Sequence, residues 1–160
     1  TAKHFPGLGA AGENTDFAVQ RIRLSRAALR KVDMAPYLPY IAGGGKLVMV
    51  GTAIYPALGP KPAAFEPKVV RGELRLRLGF KGVTITDAMG SVAVSDFGGT
   101  KRSAIAAAHA GMDILLYGDW QSAGQGEQAI AARLRTGKLP RAQFTRATNR
   151  TLQLRASLGG

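Results

Sequence analysis

The chain has 160 residues, enough for one domain with a real core, and 46% hydrophobic against 20% charged residues marks it as globular rather than disordered. It has no cysteine, which excludes disulfides, thiolate metal sites and a cysteine nucleophile, and no apolar run of the roughly 18 residues that a membrane span needs. Twenty-two Lys and Arg face ten Asp and Glu, a net charge of +12, but the basic residues are scattered along helical stretches without interleaved aromatics, which argues against a nucleic-acid partner.

In chain order, Thr1–His4 reads as a piece of strand. Leu24, Ala27, Ala28 and Leu29 have helical spacing, and Asp33-Met34-Ala35-Pro36 must kink or break that stretch. Leu47–Val50 follows three glycines and has the length and composition of a buried parallel strand. Pro67 stands where a helix starts, ahead of Val69, Val70 and Leu74. Val83–Thr86 is a second strand, Thr100 is placed to cap a helix running to Ala110, and Met112–Leu116 is a third strand. Glu127–Arg135 and Gln143–Leu154 are the last helices. Strands alternating with helices in this way predict a parallel α/β sheet.

With only ten acidic residues, carboxylate chemistry can be sought by elimination. Asp33, Glu66, Glu73 and Glu127 lie before or on helices, and Asp113 lies inside a strand, where a buried structural role is expected. Asp87 directly follows Val83–Thr86, at the strand end where α/β barrels hold catalytic groups; a helix cap is the plain alternative. His109 falls within an alanine-rich helix and reads as structural. Gly98-Gly99-Thr100 opens a helix but is too weak a signal for an anion site. Two distant histidines and no cysteine imply no metal, and no cofactor is expected.

Two strings carry a resemblance to a family. Lys3-His4-Phe5-Pro6-Gly7-Leu8-Gly9 resembles the KHFPGxG sugar-binding motif of the family 3 glycoside hydrolases, in the branch of the β-N-acetylglucosaminidases. Gly82-Val83-Thr84-Ile85-Thr86-Asp87-Ala88-Met89 resembles that family's nucleophile strand. The resemblance extends through Phe65-Glu66-Pro67 and Leu78–Gly82. It implies a (β/α)₈ barrel of the TIM type, which needs about 250 residues. Residues 1–160 are then expected to be the C-terminal half, about strands five to eight. A half-barrel exposes two sheet edges and an apolar face, so another polypeptide is expected to supply the N-terminal half, as a separate chain or a cleavage product. For a chain starting at Thr1, ordinary proteolysis is favoured over self-cleavage.

By the same resemblance, Asp87 is the nucleophile, and Lys3 and His4 bind hydroxyls of the sugar in the reacting subsite. Tyr55, after the Leu47–Val50 strand, and Asp119 with Trp120, after the Met112–Leu116 strand, are candidate sugar contacts, Trp120 as a stacking platform. The sequence departs from the family in one place. The branch carries an Asp-Ser-His triplet whose histidine is the acid/base; by spacing, Asn14-Thr15-Asp16 replaces it, and Leu8 stands where a histidine is common. Either Asp16, in preference to Glu13, is a replacement acid, or the loop has lost catalysis and the protein is a sugar-binding or structural relative. The implied reaction is retaining hydrolysis of β-linked N-acetylglucosamine glycans, including peptidoglycan fragments. Relatives occur in the cytoplasm and at the cell surface; the basic charge leans toward a secreted or cell-surface location.

Overall fold

The computed structural model describes residues 1–159, and its centre is one parallel sheet of three short strands in chain order. They are β1 (Ala2–Phe5), β2 (Leu47–Val50) and β3 (Val83–Thr86). β2 and β3 pair without irregularity from Leu47 opposite Val83 to Val50 opposite Thr86. β1 pairs Ala2 with Val48 and Phe5 with Val50, with a shift of register between them. Val48 and Val50 of β2 are fully buried, as are Thr84 and Thr86 of β3.

The expected strand at Met112–Leu116 is corrected to a single parallel pair, Ile85 with Ile114. Backbone bonds flank that pair, from Ile114 to the Thr84 carbonyl and from Thr86 to the Ile114 carbonyl, each 3.0 Å. Beyond it side chains take the ladder positions: the Thr84 amide donates to the Asp113 carboxylate at 2.9 Å, and the Leu116 amide to the Thr86 hydroxyl at 3.0 Å. A backbone group already satisfied by a side chain has no need of a ladder partner.

The first helical stretch breaks where expected, into α1 (Arg26–Lys31) and α2 (Tyr37–Ala42), and the Ser25 hydroxyl caps α1 by accepting from the Ala28 amide at 3.1 Å. The helix after Pro67, Lys68–Arg77, is π-wound, and its i→i+5 pattern ends with the Leu78 amide on the Glu73 carbonyl at 3.0 Å. The helix expected from Thr100 to Ala110 forms the second segment of α3 (Val92–Ala110); an unforeseen first segment from Val92 joins it through a kink at Gly98 and Gly99, whose φ of 121° and 77° only glycine adopts readily. The helix expected from Glu127 begins seven residues earlier, as α4 (Trp120–Arg135). Two glycines hid its first turns. One of them, Gly126, makes room for the Tyr117 hydroxyl, which a Cβ there would force to shift. The last helix, α5 (Arg141–Ala156), buries no residue fully.

The core lies between the sheet and the helices around it. Phe5, Val48, Leu74, Phe80 and Met89 are at its centre, with Phe65 packed on Phe97 at 5.1 Å between ring centroids. Glu66 lies just before the helix Lys68–Arg77 and Glu73 lies on it, as expected, and both are buried. Burial alone would push the Glu73 carboxyl up. Hydrogen bonds from Arg30 at 2.7 Å and from Arg77 outweigh it and hold the carboxyl below its ordinary value.

Candidate active site

β1 ends in a turn fixed from three sides. Gly7 has φ +145°, and a Cβ on it would lie 2.5 Å from the Cβ of Asp33. The Tyr55 hydroxyl donates to the Gly7 carbonyl at 2.7 Å. Phe5 meets the Tyr37 ring edge-on at 4.9 Å. The Lys3–His4 and Phe5–Pro6 peptide bonds are both cis. Tyr55 is 1% exposed, and burial, reinforced by the charge of Asp33, pushes its phenol well above the ordinary range. Its hydroxyl is thus committed to holding the turn.

β3 ends at Thr86, so Asp87 emerges at the C-terminal edge of the sheet. Its backbone amide continues the ladder by donating to the Val50 carbonyl at 2.8 Å, and one carboxylate oxygen accepts from the Ala88 amide at 2.9 Å. The other oxygen lies 3.8 Å from the Nε2 of His4. Asp87 does not cap a helix; Ser91 holds that place before α3.

Lys3, His4, Glu13, Asp16 and Asp87 line one open cleft of about 450 Å³, together with Leu8, Ala11, Asn14 and Thr15. Five of the eight residues singled out from sequence therefore converge. Glu13 and Asp16 come from an exposed loop, which the buried Thr15 anchors. The Asn14 side chain accepts from the Asp16 amide at 2.9 Å, so it turns the loop and leaves the Asp16 carboxylate without a side-chain partner among the described residues. Lys3, His4 and Leu8 also border a second cleft with Asp33, Pro36 and Tyr37.

Asp119 and Trp120 stand apart from this cleft. Asp119 caps α4, accepting from the Ser122 amide at 2.7 Å, and that hydrogen bond holds its carboxyl below the usual range. Trp120 is 79% exposed and borders a different cavity, against Tyr117 and Phe144. Sequence reasoning missed Asp33, Tyr37 and Gln20 around the site. Asp33 lies in the break between α1 and α2 and Tyr37 opens α2, and Gln20 acts only through a loop that closes back on it.

The chain is similar to known proteins in sequence and in fold. Residues 1–154 match the model of the glycosyl hydrolase family 3 N-terminal domain. The chain is 43% identical, over 99% of its length, to an uncharacterized secreted glycosyl hydrolase of Arthroderma benhamiae, of which it covers 46%. It is 38% identical over 72% of its length to a β-hexosaminidase of Stenotrophomonas maltophilia, of which it covers 35%. Among solved structures it superposes on a family 3 β-N-acetylglucosaminidase from Paenibacillus sp. with a TM-score of 0.92 and 32% identity, covering 96% of this chain and 30% of that one. The chain thus spans less than half the length of these relatives, and its fold is of the TIM-barrel α/β type.

Proposed function

Because the chain belongs to glycosyl hydrolase family 3, we propose that it carries the reacting half of a glycosidase site for β-linked N-acetylglucosamine glycans, peptidoglycan fragments among them. The observation that carries this reading is the convergence of Asp87, Asp16, Glu13, Lys3 and His4 on one cleft at the C-terminal edge of a parallel sheet. The mechanism is double displacement. The Asp87 carboxylate attacks the anomeric carbon and forms a glycosyl ester, while Asp16 gives its proton to the departing glycosidic oxygen. Asp16 then takes a proton from water, the water attacks the anomeric carbon, and Asp87 leaves as carboxylate with the configuration retained. Lys3 and His4 donate hydrogen bonds to sugar hydroxyls, and His4, 3.8 Å from Asp87, also steadies the nucleophile. Glu13 is the alternative acid on the same loop. Trp120 offers a stacking face for a more distant part of the glycan.

In this reading residues 1–160 are one arc of a barrel. Its open edges at β1 and at Ile114 pair with strands of another polypeptide or segment. The secreted relative and the net charge of +12 favour a place outside the cell, near anionic wall polymers. A rival reading, a binder without catalysis, draws on the replaced triplet: Asn14 spends its side chain on the loop and activates no acid. Hydrolysis of an aryl β-N-acetylglucosaminide and of a natural disaccharide by the complete barrel separates the two. Turnover of both that disappears in Asp87→Asn supports the glycosidase, and sugar binding without turnover supports the rival.

A further inference from the structure

The loop that carries Glu13 and Asp16 is tied down by a residue outside the cleft. The Gln20 side-chain oxygen accepts from the Gly12 amide at 3.1 Å and from the Glu13 amide at 3.3 Å. Gln20 is itself anchored: its carbonyl accepts from the Ile54 amide at 2.8 Å, and the Ile22 amide donates back to the Ile54 carbonyl at 2.9 Å. Ile22 and Ile54 are both buried, so this short parallel pairing runs into the core just after β2. The rest of the loop closes on itself and on α3. Phe17 and Ala18 donate to the Asn14 carbonyl, and the Val92 amide donates to the Asp16 carbonyl at 3.3 Å.

We infer that Gln20 is the positioning residue for the acid/base: one acceptor oxygen holds two loop amides and so presents the Asp16 carboxylate to the cleft. The inference rests on the reading of Asp16 as the acid. Without Gln20 the Gly12 and Glu13 amides turn to water, and among the described residues the segment from Gly9 to Asn14 loses its only hydrogen bonds to a side chain beyond the loop, keeping only the packing of Ala11 on the core. A displaced acid costs most where the leaving group needs a proton and least where it departs unaided.

The test compares Gln20→Met, which keeps length but removes the acceptor, with Gln20→Glu, which keeps an acceptor, and with Asp16→Asn, all in the complete protein. Expected for Gln20→Met is a fall in kcat on a natural disaccharide of about 10–100-fold with KM held. Turnover of a nitrophenyl glycoside should be nearly unchanged, and hydrogen exchange at the Gly12 and Glu13 amides should accelerate. Gln20→Glu should restore both kcat and amide protection. Parental disaccharide turnover in Gln20→Met, beside an Asp16→Asn variant that has lost it, would overturn the inference; so would equal loss on both substrates. If Asp16→Asn shows no dependence on the leaving group, it is the reading of the acid that fails, and amide exchange alone decides whether Gln20 is the clamp.

Discussion

Asp87 and Asp113 belong to adjoining parts of one sheet and have opposite surroundings. Asp113 lies beside Thr84 with its carboxylate fully buried. Arg75 and Arg150 each approach it to 2.7 Å, and the Thr84 amide donates to it at 2.9 Å. Asp87 lies past the C-terminal end of β3, partly exposed, and among the described residues its one basic side chain within bridging range is the His4 imidazole at 3.8 Å. A carboxylate that is neutralised from both sides holds structure together; one left short of partners in a cleft keeps the capacity to react. Barrel sheets divide stability and chemistry between their two ends in this way.

Exchanging each carboxylate for its amide would break the comparison most directly. Asp87→Asn should lower turnover by more than about 10³-fold and leave the unfolding midpoint in urea nearly where it was. Asp113→Asn should do the reverse, with a loss of about 3 kcal/mol in urea unfolding, because Arg75 is left buried beside an uncharged partner and α5 loses its tie through Arg150. Burial already lowers the Arg75 pKa even with Asp113 present. Equal effects on activity and stability in the two variants would dissolve the contrast.

Glu73 sharpens it through pH. Its folded pKa is depressed, so the stability it contributes is present above its ordinary value of 4.5 and is lost as pH falls through the lower folded value. Urea midpoints of the parent should therefore decline in that acid window, and Glu73→Gln should flatten the decline. The smallest effect is expected at Asp119, whose carboxylate caps α4 from the surface. Asp119→Ala should lower the urea midpoint only slightly, through loss of the cap on the Ser122 amide. A loss of disaccharide affinity in that variant would bring Asp119 into the sugar site after all.

Much of this was legible because it is local. The strings around His4 and Asp87 carry their own turn and strand signals, and both side chains reach the cleft. The break at Asp33–Pro36 also falls where proline chemistry puts it. The start of α4 was obscured by Gly124 and Gly126, since glycine lowers helix propensity whether or not tertiary packing requires it. The Met112–Leu116 strand was expected from apolar content, but Asp113, Thr84 and Thr86 divert its ladder bonds into side-chain ones. Nothing in the local pattern marks Gln20, whose role exists only once the loop folds back upon it.

By itself the sequence determined the parallel α/β class, the family and the two motif strings around His4 and Asp87, because strand length, turn residues and motif spacing are properties of neighbouring residues. Tertiary structure alone decided which carboxylates share a cleft, which one is locked between two arginines, and that Tyr55 holds the Gly7 turn. Those outcomes depend on distances between residues far apart in the chain, such as His4 and Asp87, and only the packed sheet sets such distances.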